Sequence, residues 1–301
     1  MNEHHHHHHG HHHHHHDMSD SNLKLAFFMN LGFTIVELLG GLWTNSVAIL
    51  SDAVHDLGDS MSLGLAWYFN RLSKQGRTAT DTYGYRRYSL LGGLITGLVL
   101  VAGIGFVLWH AIARLGSPEP VYAPGMLAIA VVGVIVNGAA ALRVRRGVSL
   151  TERVVSWHLL EDTLGWVAVL IGALVMYFWE VPWVDPLLSI AIGLFVLWNV
   201  GKNLREVFDV FIQKAPKSFD LHSFEEQMLR HPKVVSVHHT HSWSVDGNTH
   251  VLTTHLVMQR DTTRQQIVDA KQHLLSLLGA GAFAHITIDV ELEGEECAGA
   301  T

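Results

Sequence analysis

Cysteine is almost missing from this chain of 301 residues: a single one, Cys297, excludes an intrachain disulfide and a thiolate metal cluster. Any metal the chain handles is therefore expected to be held through nitrogen and oxygen. Charge is scarce as well. Charged residues make up 16% against 49% hydrophobic, and the mean hydropathy of +0.22 is too apolar for an ordinary soluble enzyme of this size. Basic residues number 20 against 27 acidic ones, and the formal charge of −7 lacks the basic footprint that nucleic acid requires, so no nucleic-acid partner is expected. No signal-peptide pattern is visible.

Histidine is abundant instead, with 24 residues, many of them in the N-terminal run HHHHHHGHHHHHH. The run reads either as a purification tag or as a native tail that gathers borderline cations near a membrane entrance. Two blocks split by one Gly, after MNE and before DMSD, fit the native tail. On either reading residues 1–22 are expected to be disordered and outside the fold.

Six apolar segments reach the about 20 residues a membrane helix needs; they lie at 23–43, 46–70, 88–113, 122–143, 153–179 and 186–210. The breaks carry turn chemistry: TNS after Trp43, GSPEP at 116–120 and EVPWVDP at 180–186. Gly93 and Gly97 have the spacing that lets two membrane helices approach closely. Basic residues are one-sided. Arg71, Lys74, Arg77, Arg86 and Arg87 lie between segments two and three, and Arg143, Arg145, Arg146 and Arg153 between four and five, whereas the other side has only Arg114. This places those loops and both termini in the cytoplasm. The absence of a long His-rich loop between segments four and five suggests a bacterial plasma membrane.

From residue 214 the composition becomes that of a small soluble domain. FDLHSFEEQMLRHP reads as an amphipathic helix, VVSVHHTHSWSV and THVLTTHLVM as a hairpin turning at Asp246–Asn248, TTRQQIVDAKQHLLSLLG as a Thr-capped helix, and HITIDVELE as a last strand. The expected fold class is thus an α-helical membrane protein: a six-helix transmembrane domain over 23–213, an αββαβ domain over 214–293, and a flexible end over 294–301.

The second segment contains SDAVHDLGDS, which puts Asp52, His55, Asp56 and Asp59 at bilayer depth. Each such charge costs about 2.5–3.5 kcal/mol on insertion scales, so something must compensate. Residues four apart share a helix face, which aligns His55 with Asp59. The fifth segment repeats the spacing in SWHLLEDTLGW, with His158 and Asp162. Two such helices face to face offer the tetrahedral two-nitrogen, two-oxygen set that zinc accepts. Two ionised carboxylates and two neutral imidazoles also balance one divalent cation. Because the ligands must shed protons to bind, metal and protons compete for them. Exposed alternately to each side, such a site is a cation/proton antiporter. Asp52 is placed to orient an imidazole from behind, while Asp56 and Glu161 are expected to face a wet cavity. Glu37 reads as a cavity wall or a paired helix contact.

At these residues the chain resembles the cation diffusion facilitator family of divalent-metal transporters. The resemblance is carried by NSVAILSDAVHDLGDS, TYGYRRYSLLGGL and SWHLLED and covers about residues 23–293. It implies a homodimer in a lipid bilayer that exchanges zinc, or related Co2+, Cd2+ or Ni2+, for protons, as a secondary transporter with no cofactor and not as an enzyme. It places the transport site on His55, Asp59, His158 and Asp162, the zinc-preferring version of the quartet. It also implies a ferredoxin- or metallochaperone-like tail domain with a metal site at His238, His255 and, as a weaker match, His285 with Glu291 nearby. A further loop site of the family is expected to be absent, because DTYGYRR offers only Asp81 beside Tyr85 and Arg86. A dimer-locking salt bridge lacks its acid, Gln213 standing in that place, with Asp209 as a substitute for Arg87 to reach. Strand alternation sets His239 and His241 on the face opposite His238.

Two other classes remain open. A zinc-dependent membrane hydrolase would need an open metal position and a general base, yet four protein ligands leave none and no HExxH motif occurs. A passive channel or sensor would favour rings of weak sites.

Overall fold

The computed structural model describes residues 20–73, 77–144, 150–279, 281 and 283–297. The His-rich tract, Lys74, Arg145 and Arg146 lie outside the described residues, as does the side chain of His158.

Each apolar segment forms one long helix: α1 Asp20–Thr44, α2 Val47–Ser73, α3 Tyr88–Gly116, α4 Ala123–Val144, α5 Leu150–Trp179 and α6 Val184–Phe211. Five of them are long and apolar enough to cross a membrane. The remaining one, α2, is as long, and its acidic residues set it apart. Large apolar side chains such as Leu42, Trp109, Phe178 and Trp198 are exposed along the outside of the bundle, as expected where lipid is the solvent.

Helices α1 and α2, α4 and α5, and α3 and α6 pack as neighbouring pairs. On α3, a Cβ at Gly97 would lie 2.5 Å from Leu204 of α6, and one at Gly93 would lie 3.2 Å from Val207. The expected close approach is therefore made, and its partner is α6. A core of Ile49, Met126, Ala130, Trp166, Val169 and Ala173 joins α2, α4 and α5.

The tail comprises α7 Leu221–Leu229, β1 Val234–Ser244, β2 His250–Met258, α8 Arg264–Leu278 and β3 Phe283–Leu292. The sheet order is β1-β2-β3, antiparallel then parallel. Asp220 caps α7 by accepting from Ser223 N. Thr263 and Gln266 form a capping box on α8, and Gly279 follows its end with φ 73°. The turn between β1 and β2 is an Asx turn, in which Asp246 Oδ1 accepts from Asn248 N at 2.9 Å and from Thr249 N at 2.6 Å. Phe224, Met228, Leu252, Leu256, Met258 and Leu274 fill the space between the helices and one face of the sheet.

The chain between α2 and α3 meets this tail domain. Arg86 Nη1 donates to Thr249 Oγ1 at 2.8 Å, and the Tyr83 ring stands edge-on to His285 at 5.3 Å. Asp209, the candidate for the dimer lock, pairs with Lys214 of its own chain at 2.5 Å.

Candidate metal site

Trp166 fixes how α5 is rotated. It is fully buried, one turn beyond Asp162, and its indole occupies the space a side chain at Gly133 of α4 would need. The ring also stands edge-on to Phe33 of α1, at 6.1 Å. With that face of α5 turned inward, Asp162 points at α2. His55 Nε2 lies 3.7 Å from Asp162 Oδ1 and 3.8 Å from Asp59 Oδ2. Ligand atoms of the three residues all fall within 4.8 Å of one another, a spacing one small cation can bridge. Bonds of about 2.0–2.2 Å to each would draw them slightly closer. His158 lies one helical turn before Asp162 on α5, and its side chain is outside the described residues.

The trio opens onto a cavity of about 770 Å³ lined by α2, α3, α5 and α6. Asp52 and Glu161 line it too. Asp56 does not: contrary to expectation, it is buried toward α1, where Asn30 donates to its backbone carbonyl and Glu37 lies beside it. Glu37 is fully buried. The residue after Asp59, Ser60, is held by Asn30 at 3.0 Å, and Thr163 donates to Leu159 O at 2.6 Å. These hydroxyls stay within the helix packing.

The tail domain holds a second cluster. His238, His255, Glu291 and Cys297 bring ligand atoms within 4.8 Å of one another. His238 and His255 are cross-strand partners in β1 and β2. His255 Nδ1 lies 2.6 Å from Glu291 Oε1 and 3.5 Å from Cys297 Sγ, and His238 Nε2 lies 3.4 Å from Glu291 Oε2. His285 is not brought here. It pairs with Val251 in the sheet, six residues before Glu291 on the same strand, and packs on Tyr83 instead. At about 3.3 Å per residue the two are too far apart to share an ion. Nor is the donor set confined to nitrogen and oxygen, since the lone thiol joins it.

A bulge also overturns the simple alternation of β1. The register shifts between His238 and His241, and His239 has φ 48°. Its ring therefore stands 5.2 Å from that of His238 and 5.3 Å from that of His255, on the side alternation denied it. Among these residues, Cys297 was the one sequence reasoning missed. Its only signal was position, a few residues beyond a strand that ends in Glu291.

The hydrogen bond from His255 holds the Glu291 carboxyl below its ordinary value of 4.5; burial opposes this, and Cys297 and the charges of His238 and His255 add to it. A carboxyl held down in the fold stabilises above its unfolded value and loses that contribution as pH falls through the folded one. The tail domain should thus lose stability below about pH 4.5. Glu291→Gln should flatten that decline in a denaturant titration run from pH 6 to pH 3. An unchanged slope would show that Glu291 is not the group responsible.

The model for the cation efflux transmembrane domain matches residues 23–212. The chain is 32% identical over 278 residues to the metal cation efflux system protein CzcD of Cupriavidus metallidurans, covering 91% of this chain and 87% of that protein. It is 32% identical over 288 residues to the zinc transporter ZitB of Escherichia coli, covering 93% and 91%. A Bacillus subtilis protein named a cadmium, cobalt and zinc/H(+)-K(+) antiporter is 29% identical over 275 residues, covering 90% and 88%.

Proposed function

The chain belongs to the cation diffusion facilitator family of cation efflux proteins, and from that premise we propose that it expels zinc from the cytoplasm in exchange for protons by alternating access. The observation that carries this reading is the trio of His55, Asp59 and Asp162, contributed by two helices at bilayer depth beside an open cavity. His158 completes it as the fourth ligand. Two imidazoles and two carboxylates suit a borderline ion such as zinc, with cobalt and cadmium as further cargo. Binding zinc drives protons off the ligands, and re-protonation drives zinc off, which couples the two flows.

On this reading α2 is the sixth span. The carboxylates that make it less apolar than the others are the ones the cargo neutralises. Residues 23–213 form the transporting unit and 214–293 a ferredoxin-like regulatory unit, with the termini and basic loops in the cytoplasm of a bacterial inner membrane. The protein works as a homodimer. His238, His255, Glu291 and Cys297 are the regulatory metal site of the tail, with a thiolate in place of His285. Four ligands at the transport site leave no open position for a hydrolase. The potassium in the name of the Bacillus relative motivates one second reading, in which potassium shares the counter-flow.

Calorimetry on the full chain, metal by metal, tests the assignment. Wild type should bind zinc at the transport site, at the tail cluster and in the His-rich tract, and His55→Ala should remove the first and leave the other two. A variant that keeps all three would take His55 out of the site. Deleting residues 1–17 should shift apparent zinc affinity by no more than about threefold, as a tethered chelator outside the fold would. Complete loss of transport would place the tract in the pathway itself.

A further inference from the structure

The wall of the cavity carries a buried hydroxyl that neither metal cluster uses. Thr96 of α3 is 5% exposed and lines the cavity, yet its Oγ1 has no hydrogen-bond partner among the described residues. Other threonines of the bundle bond within their own helix. Thr34 Oγ1 donates to Asn30 O at 2.9 Å, Thr44 Oγ1 to Gly40 O at 2.7 Å and Thr163 Oγ1 to Leu159 O at 2.6 Å, each four residues back. Thr96 makes no such bond to Gly92. A hydroxyl left unpaired inside a membrane bundle is destabilising, so its place there calls for a partner supplied by what enters the cavity.

Helix packing fixes where this hydroxyl stands. A Cβ at Gly58 of α2 would lie 2.4 Å from Leu100 of α3, and one at Gly103 of α3 would lie 2.8 Å from Val54 of α2. The two helices therefore run antiparallel, with Gly58 level with Leu100. Asp59 follows Gly58, and Thr96 lies four residues before Leu100, about 6 Å along the axis. Thr96 thus stands about one turn from the trio, toward the α2–α3 loop. It shares the wall with Ser62 of α2 and with Asn199 and Asn203 of α6. These side chains are uncharged. Their oxygens are poor substitutes for the water of a divalent cation, but they accept hydrogen bonds from water that the cation keeps. A cavity of about 770 Å³ admits the ion with its first water shell, about 200 Å³ at roughly 30 Å³ per water. Charge agrees with a cation here. Glu161 adds a carboxylate from α5, while Lys202, which also borders the cavity, lays its ammonium 5.0 Å over the outward-facing ring of Trp198. We propose that Thr96 marks a staging subsite for the cargo: hydrated zinc is held there through its waters, one helical turn before the trio, and sheds them as His55, Asp59 and Asp162 take hold. Thr96 is a positioning residue that acts through water. The subsite rests on the transport reading.

Zinc uptake by the full chain in proteoliposomes tests the subsite, with zinc added on the side that bears the tail domain. Thr96→Val keeps the shape of the side chain and removes the hydroxyl. It should lower kcat/KM for zinc at least about fivefold while kcat stays within about twofold, because capture slows and the later steps do not. Thr96→Ser keeps a hydroxyl and should stay within about twofold of wild type in kcat/KM. Metal-free Thr96→Val should melt close to the wild-type temperature, since no hydrogen bond within the fold is lost. An unchanged kcat/KM in the valine variant would mean that the hydroxyl holds a structural water only. A serine variant as slow as the valine one would trace the loss to shape, and a fall in kcat together with melting temperature would trace it to a general defect. Each of these results overturns the proposal. Wild-type protein that moves no zinc would overturn the transport reading and the subsite with it, whereas active wild type with either variant failing its expectation overturns the subsite alone.

Discussion

Replacing Asp162 by Ala is expected to reduce zinc uptake by at least about 100-fold, because removing one partner of a buried charge set costs about 3–5 kcal/mol. Two losses combine. The ion loses the one described ligand that α5 supplies, and the remaining groups no longer neutralise a divalent cation at bilayer depth. Folding should survive, since Asp162 borders a cavity rather than the packed core. The metal-free variant should therefore melt close to the wild-type temperature. Zinc at 100 times the wild-type Kd stabilises the native protein by about 2.7 kcal/mol at one site. The share due to the transport site should vanish in the variant, leaving whatever the tail cluster contributes. Wild-type uptake by Asp162→Ala would remove α5 from the mechanism. A collapsed melting curve would instead assign Asp162 a structural role.

The parts of this architecture that were legible in the sequence are those set by neighbours along the chain. Apolar runs of helix length separated by Pro- and Gly-containing breaks locate the helices, because the backbone there can be satisfied only from within. The four-residue spacing puts His55 and Asp59 on one face of α2 whatever else the helix touches. The capping box at Thr263 and Gln266 is equally local. Features that depend on rotation or register were hidden. Whether Asp162 meets His55 is decided by Trp166 filling the gap at Gly133, a contact between helices far apart in sequence. Asp56 and Glu161 read alike as residues facing a wet cavity, yet of the two only Glu161 lines it and Asp56 lies toward α1. The His239 bulge defeats alternation because it arises from how β1 pairs with β2. Asp185 read as part of a turn, and only the assembled bundle places it against the start of α2. Cys297 lies beyond the last strand, where no periodicity speaks for it.

Proton coupling carries the other large expected effect. In proteoliposomes with symmetrical potassium and valinomycin, the membrane potential is held at zero and no potassium gradient exists. An interior one pH unit more acidic than the bath should then accumulate zinc about tenfold for each proton exchanged, since one pH unit is worth about 1.36 kcal/mol per proton. The direction follows from the ligands. In the proposed exchange the acidic side returns protons to the site and releases its ion, and the alkaline side takes protons from the site and admits another. Zinc therefore collects in the compartment from which protons leave. Stoichiometry follows from the plateau: about tenfold for one proton and about 100-fold for two. Reversing the gradient should drain preloaded vesicles, a response that a passive pore would not give, because a pore equalises zinc whatever the pH. Equal zinc on both sides under a sustained pH gradient would leave the trio a metal site without an engine.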